Sequence, residues 1–197
     1  MVLLTVCVPN ALIAQQDSKA RDILDNISSA YTQAGGVSIA FDGDQQGTLL
    51  LDGKCFMLSI NDVKSWFDGT TQWSYLVQSE EVNISSPTPD ELQTVNPFIL
   101  LSMYKAGFDC SYQGTETYMG MTLQRVKLVP TDKKSEIKHI LVSSDSKNQI
   151  RRLSITDNSD NVQQIDVTAY RSGMNFDITT FRFDHKKHPD VEVIDLR

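Results

Sequence analysis

Short runs of β-forming residues, separated by turn residues, follow one another from about residue 37 to near the end of the chain. Two of the turns contain the pairs Asp52-Gly53 and Asp68-Gly69. An Asp-Gly pair between apolar runs is a strong signal for an antiparallel hairpin. The spacing predicts one antiparallel sheet that must curl, since flat open sheets of about ten strands are rare. The predicted strands are 38–41, 48–51, 55–60, 65–67, 71–77, 81–85, 108–112, 122–129, 137–144, 150–156, 162–170 and 180–183.

One amphipathic helix precedes the strands. Residues 18–31 place apolar side chains at helical spacing, with polar residues between them. Asp17 or Ser18 can cap the start of this helix, and Gly35-Gly36 is a typical end.

A helical segment interrupts the sheet once, between residues 88 and 107. Thr88-Pro-Asp-Glu91 is a capping box, and Asn96-Pro97 is a second helix start. The run 98–104 is apolar around nearly its whole circumference and reaches Gly107, a typical helix stop. A helix of this kind is either buried or covers something apolar. A well-packed core and a lid over an apolar ligand cavity both fit this composition.

The start of the chain has the pattern of a signal-peptide hydrophobic region. It is apolar through Ala14 and then turns polar, although no basic residues come before it. We predict export to the periplasm with cleavage near Ala14, leaving a leader remnant at 1–14 and one domain at 15–197. A short buried strand is the alternative, which Pro9 and Asn10 would interrupt. No stretch of about 20 apolar residues occurs, so a soluble mature protein is expected.

No residue pattern indicates catalysis, a cofactor or a metal. The net charge of −7 disfavours nucleic acid and anionic membranes as partners. His185 and His188 flank two lysines without a cluster of cysteines or carboxylates that would complete a metal site. Motifs for hydrolases, zinc proteases and phosphate binding are missing from the sequence, so we expect no enzyme. In an oxidising compartment Cys55 and Cys110 could form a disulfide, but two cysteines on apolar strands are as often buried thiols.

Four segments resemble the LolA family of lipoprotein carriers. Phe67-Asp-Gly-Thr-Thr-Gln-Trp-Ser-Tyr75, followed by Glu81-Val-Asn-Ile, is similar to the family's Asp-Gly turn, Trp-x-Tyr strand and next strand. Asn96-Pro-Phe-Ile-Leu-Leu101 resembles its Thr-Pro-x-x-Leu-Leu lid helix. Thr180-Phe-Arg-Phe-Asp184 and Val191-Glu-Val193 are similar to its closing Phe-x-Phe and Val-x-Val segment. The order of elements also matches over roughly residues 18–197.

The resemblance implies a mainly β fold, a curled half-barrel of about eleven antiparallel strands with an N-terminal helix and a helical lid on its concave face. It implies a monomeric periplasmic carrier that receives acylated lipoproteins from an ATP-driven (ABC) exporter in the inner membrane. The carrier would hold the acyl chains in an apolar cavity and deliver the lipoprotein to the outer membrane, where the need for a receptor stays open. Two alternatives use the same half-barrel, namely a periplasmic sensor or regulatory domain and a carrier of another lipid.

The resemblance also implies site residues. Six residues match the family's cavity and lid by position, and Phe56, Leu58 and Ile60 are added because the run 55–60 is apolar on both strand faces. Family members often latch the lid with an arginine just after the second strand. Here Lys54 stands in that turn as the candidate latch, without the planar fork of arginine. The six matching residues are Trp73, Tyr75, Phe98, Ile99, Leu101 and Met103.

Overall fold

The computed structural model describes residues 10–88, 91–92, 104–105 and 107–197, except for the side chains of 10–16. One helix, α1 (Asn10–Gln33), precedes a sheet of 12 strands. The strands are β1 (Gly36–Gly43), β2 (Gly47–Asp52), β3 (Cys55–Ile60), β4 (Val63–Phe67), β5 (Gln72–Leu76), β6 (Glu81–Ser85), β7 (Phe108–Tyr118), β8 (Met121–Pro130), β9 (Ile137–Ser144), β10 (Ile150–Asp157), β11 (Val162–Met174) and β12 (Glu192–Asp195).

The strands form a single sheet in the order β12-β6-β5-β4-β3-β2-β1-β11-β10-β9-β8-β7. β12 and β7 are its two edges and do not pair with each other, so the sheet is open. The predicted many-stranded sheet is confirmed, with 12 strands in place of about eleven. It is not wholly antiparallel, because β12 pairs with β6 in parallel.

The predicted strand at 180–183 is wrong. Ile178–Phe181 forms a 3₁₀ turn, and the last strand lies further along at Glu192–Asp195. The carboxylate of Asp177 accepts a hydrogen bond from the amide of Thr179 and so starts a helical turn. The alternation of Phe181 and Phe183 reflects burial of both rings in a loop rather than one face of a strand.

Helix α1 begins earlier than predicted. It starts at Asn10 and runs through Asp17 and Ser18, because the alanine-, leucine- and glutamine-rich residues 11–16 favour a helix. Its predicted end is confirmed, since Gly35 takes the left-handed conformation at φ 67° just after the last turn. Ala14 lies inside α1, and cleavage near it stays a prediction. Within the described part of the chain, no helix has both the length and the apolarity to cross a bilayer.

The pairing register shows to which of the two faces of the sheet each side chain points. Residues opposite each other in an antiparallel pair point to the same face, and neighbours along a strand point to opposite faces. We call the face that α1 covers the helix face and the other the outer face. On the helix face one apolar cluster joins α1 to strands β1–β4 and β7–β11, as expected for a half-barrel around a helix. Its members from α1 are Ala20, Ile23, Leu24 and Ile27, at helical spacing.

A second apolar cluster covers the outer face of β3–β6. We call it the outer cluster and call residues 175–197, which close it, the C-terminal strap. The ring of Phe183 in the strap lies 5.5 Å from that of Trp66 and 5.8 Å from that of Tyr75. The strap then continues as β12 along the edge of β6. The outer cluster comprises Trp66, Tyr75, Val82 and Phe183, with Met57, Trp73 and Val191 packed against it.

Candidate functional site

The three apolar residues predicted on β3 lie on the helix face. Phe56 is fully buried, Leu58 is nearly so, and Ile60 is partly buried against the same cluster. The ring of Phe56 lies 5.6 Å from that of Phe67, its partner on β4. These residues therefore form a continuous apolar surface on the helix face, which is where the family resemblance places a cavity.

The structure does not bring Trp73 and Tyr75 to that surface. Trp73 pairs with Trp66, and Trp66 pairs with Met57, so all three point to the outer face. Tyr75 follows two residues after Trp73 and packs in the same outer cluster. The physical reason is strand alternation: Phe56 and Met57 are neighbours along β3 and must point in opposite directions. The residues predicted as one site are divided between the two faces.

The other four predicted residues, Phe98, Ile99, Leu101 and Met103, lie outside the described residues. The start of the inserted segment is described, and it confirms the capping box. The backbone amide and hydroxyl of Thr88 donate to the Glu91 carboxylate at 2.7 and 2.9 Å. The Glu91 amide donates back to the Thr88 hydroxyl at 3.4 Å.

Both described ends of the inserted segment enter the core of the helix face. Leu92 and Tyr104 are buried in the same cluster as α1. The hydroxyl of Tyr104 donates to the carboxylate of Asp25 on α1, and the ammonium of Lys105 lies 2.7 Å from the same carboxylate. The hydrogen bonds from Lys105 and Tyr104 lower the pKa of Asp25, while burial and the bond to Asp25 raise the pKa of Tyr104. Nothing in the sequence indicates this contact, because it joins residues 79 positions apart.

We expect Tyr104→Phe to destabilise the protein by about 1–2 kcal/mol, because it removes a hydrogen bond to a charged acceptor while leaving the buried ring in place. Chemical denaturation would measure this. Lys105→Ala is the matched control and should change stability by less than about 0.5 kcal/mol, since its ammonium is largely exposed. A loss in Tyr104→Phe no larger than the limit of about 0.5 kcal/mol expected for Lys105→Ala would contradict a stabilising role of the Tyr104 hydroxyl.

Lys54, the candidate latch, is exposed in the turn between β2 and β3. The two-residue loop is Gly53-Lys54, one residue later than the predicted pair. Gly53 has φ 57° at the loop position where a type II′ turn requires glycine. Among the described residues Lys54 has no ion-pair partner, and the segment it would latch lies outside them.

A second contact that the sequence analysis missed ties the Asp-Gly turn to the C-terminal strap. The Asp68 carboxylate accepts the amides of Thr70 and Thr71 at 3.1 and 3.0 Å. Its other oxygen accepts the Arg182 guanidinium nitrogen at 2.9 Å. Burial raises the pKa of Asp68, but the bonds from Thr71, Thr70 and Arg182 outweigh it and the net pKa is lowered. Two segments that resemble family motifs, Phe67–Tyr75 and Thr180–Asp184, thus meet through one ion pair.

We expect Asp68→Asn to cost about 1–3 kcal/mol of stability at neutral pH, because the largely buried carboxylate is charged and fully hydrogen-bonded when folded. Because the pKa of Asp68 is lowered in the folded protein, its ionised carboxylate stabilises the folded state at pH values above the usual pKa of 3.8. This stabilisation is lost as the pH falls through the folded pKa. The difference between wild type and variant should therefore shrink below about pH 4, as urea titrations at several pH values would show. Asp190→Asn, at an exposed aspartate, is the control and should show no such trend. A constant difference across pH would contradict the assignment.

Cys55 and Cys110 are free thiols. Cys55 precedes Phe56 on β3 and points to the outer face, whereas Cys110 is buried in the cluster of the helix face. Burial raises the pKa of both thiols. A sheet therefore separates the two sulfurs, so no disulfide joins them; Cys110 is a buried thiol, and Cys55 is only partly buried.

The two C-terminal histidines pack against aromatic rings. The His188 ring stacks on Phe183 at 5.2 Å, and the His185 ring meets the same phenyl edge-on at 4.8 Å. In the described part of the chain no group of three or more His, Cys, Asp or Glu is placed to hold a metal.

Comparison with known families identifies the class of protein that this half-barrel belongs to. The family model described as outer membrane lipoprotein carrier protein LolA matches residues 10–157. The chain therefore belongs to the LolA family, as the motifs in the sequence indicated. A search of curated proteins found no match.

Two solved structures share the fold at low sequence identity. An uncharacterised conserved protein from Thermus thermophilus superposes with a TM-score of 0.62 at 11% identity, covering 90% of this chain and 99% of that one. A protein of the DUF1329 family from Desulfovibrio piger gives a TM-score of 0.50 at 12% identity, covering 88% and 99%. Similarity at this level shows the fold alone.

Proposed function

We propose that this protein is a periplasmic carrier that shields lipoprotein acyl chains in an apolar cavity on the helix face. The observation that carries the proposal is the apolar surface of β3 in a member of the LolA family. Phe56 and Leu58 belong to the cluster that also holds Leu92 and Tyr104, the described ends of the inserted segment. The inserted segment thus leaves and rejoins the described chain at the face where the acyl chains would lie.

The physical need for such a carrier is large. Each methylene kept from water is worth about 0.8 kcal/mol, so a free acylated protein could not cross an aqueous compartment alone. A carrier must also release its cargo, which requires that the closed empty state and the open loaded state differ by only a few kcal/mol. The buried side chains of β3 already contact other apolar groups, so an incoming acyl chain replaces existing contacts rather than water.

In this proposal the inserted segment acts as the lid and binds the acyl chains through Phe98, Ile99, Leu101 and Met103. Lys54 acts as the latch that holds the lid closed. The carrier acts as a monomer, receives lipoproteins from an ABC exporter of the inner membrane and passes them to the outer membrane. Membership of the LolA family supports these roles. Trp73 and Tyr75 are left out of the cavity, since both point to the outer face.

The test compares binding of a fluorescent triacylated lipopeptide and its unacylated twin to delipidated protein. We expect the acylated form to bind selectively and Leu101→Glu to weaken that binding at least about tenfold, because a carboxylate in an apolar site costs several kcal/mol. Val162→Glu is the matched control, since Val162 is 56% exposed at the start of β11, away from β3 and β6, and should bind as wild type. Failure to bind either peptide, or equal binding of both, would mean that the apolar residues form an ordinary core.

A further inference from the structure

Part of the helix face changes from apolar to polar across the sheet, while the neighbouring row of Ile60, Val63 and Leu76 stays apolar as far as β5. The register forms two rows of side chains that cross the strands side by side. One row runs Leu49–Leu58–Ser65–Ser74–Asn83, and the other runs Leu51–Phe56–Phe67–Gln72–Ser85. Both rows are apolar over β2 and β3 and polar over β5 and β6. We call the five polar members the amide–hydroxyl stripe: Ser65, Gln72, Ser74, Asn83 and Ser85.

The stripe is not a solvent-exposed edge of the sheet. Ser65 is only 4% exposed and Gln72 only 5%, and Ser74, Asn83 and Ser85 are half-buried. Buried polar side chains normally form hydrogen bonds, because leaving them unsatisfied is costly. Within the stripe the Gln72 amide donates to the Ser74 hydroxyl at 3.0 Å, and the Ser65 and Ser74 hydroxyls lie 3.5 Å apart.

The side chains of two members of the stripe have hydrogen-bond donors that no described residue accepts. The side chains of Asn83 and Ser85 form no hydrogen bond with any described residue. An asparagine amide carries two N–H donors and a serine hydroxyl carries one. Both residues sit on β6, farther from the apolar β3 than Ser65 and Ser74, and beyond them the row through Asn83 meets Ile194 on β12. Their donors therefore lie in the polar part of the two rows, over β5 and β6.

The charges around the stripe restrict what it can bind. The described side chains of β4, β5 and β6 on the helix face include one charged group, the carboxylate of Glu81, and Glu192 on β12 adds a second carboxylate beside it. Lys64, the nearest cation along these strands, pairs with Tyr75 and points to the outer face. A surface with hydroxyl and amide donors, no cation and two carboxylates favours neutral acceptors and disfavours phosphate.

We propose that the amide–hydroxyl stripe binds the ester carbonyl oxygens of the acylglycerol group, while the apolar members of the same two rows, on β2 and β3, bind the hydrocarbon. The inference rests on the proposed carrier function and deepens it by assigning the polar end of the ligand. An ester carbonyl is an acceptor without charge, which matches the donors of Asn83 and Ser85. Because the two rows are continuous across β2–β6, a chain lying along them has its polar end over β5 and β6.

The test uses a lipopeptide with two ester-linked acyl chains and a twin in which ether linkages replace both esters. Wild-type protein should bind the diester on the order of tenfold more tightly than the diether, since each carbonyl hydrogen bond contributes a few-fold in affinity. The double variant Asn83→Ala/Ser85→Ala should bind both forms with the affinity that wild type shows for the diether. Ser59→Ala, on the outer face of β3, is the control for a serine lost from the same sheet and should keep the preference for the diester.

The outcomes separate this inference from the carrier proposal. Equal binding of diester and diether by wild type, or equal weakening of both in the double variant, would overturn the carbonyl site and leave the carrier intact. Binding of neither lipopeptide would overturn the carrier proposal and the site with it. Thermal unfolding of each variant confirms that it is folded before its binding is compared.

A competition measurement tests the charge selectivity of the same site. Diacylglycerol should displace the bound diester lipopeptide at a lower concentration than phosphatidic acid of the same chain length, because no cation on the stripe can pair with phosphate. Equal or better displacement by phosphatidic acid would overturn the assignment of a neutral ligand group.

Discussion

Replacing Phe183 with alanine is expected to destabilise the protein by about 3–5 kcal/mol, the usual cost of deleting a buried phenyl ring. Phe183 is 7% exposed and its ring contacts Trp66, Tyr75 and His188. It is the buried aromatic residue with which the C-terminal strap closes the outer cluster, beside Val191 of the same strap. Its loss leaves a cavity beneath the strap and exposes apolar surface of β4 and β5.

Tryptophan fluorescence measures this directly, because the chain has two tryptophans and both Trp66 and Trp73 lie in the outer cluster. The variant should unfold at lower denaturant concentration, and its folded emission should shift to longer wavelength as water reaches the indole rings. His185→Ala is the control, since His185 is exposed and only touches the edge of Phe183. Native emission together with native stability in the Phe183 variant would mean that the strap does not cover the tryptophans.

Replacing Phe56 with alanine is the second large effect we expect, again about 3–5 kcal/mol. Phe56 has no exposed surface and packs against Phe67 in the cluster of the helix face. Phe56→Leu keeps most of the side-chain volume and should cost less than about 1.5 kcal/mol. Denaturation followed by circular dichroism would give both values.

The contrast between the two Phe56 variants is the informative result. Similar losses would show that the aromatic shape, rather than filled volume, stabilises this part of the core. A negligible loss in Phe56→Ala would mean that the helix face can collapse around the missing ring. That outcome would also weaken the proposal that β3 lines a cavity of defined shape.

We assign different roles to the two faces of the sheet. The outer cluster and the Asp68–Arg182 ion pair fasten the C-terminal strap, so the outer face is structural. The helix face holds the apolar rows and the amide–hydroxyl stripe, where we place the ligand. Substitutions on the outer face should therefore change stability more than ligand preference, and those at Asn83 and Ser85 should do the reverse.

The repeated β runs and the Asp-Gly turns predicted a curled many-stranded sheet. The apolar spacing of residues 18–31 predicted the N-terminal helix, and the capping box predicted an inserted helical segment. Each is a local signal: strand alternation, turn geometry and capping are decided by residues within a few positions of one another. The family resemblance of Phe67–Tyr75 and Asn96–Leu101 was equally local, and the match over residues 10–157 confirms it.

Other features required the tertiary structure. The sequence identified Trp73 and Tyr75 as apolar members of a site but did not say which face of the sheet they occupy, because one residue of register moves a whole strand's side chains to the other face. The parallel pairing of β12 with β6 joins segments more than about 100 residues apart and has no local signature. The contacts of Asp25 with Tyr104 and of Asp68 with Arg182 depend on chain segments that meet only after folding.

Local patterning along the chain was therefore sufficient to specify the class of fold and the family of this protein. The packed molecule was needed to show which apolar residues face the helix, which are covered by the strap, and where polar side chains replace apolar ones across the sheet. The reason is that the alternation along a strand shows which residues share a face but not what covers that face. Only packing against α1 and the C-terminal strap distinguishes one face from the other.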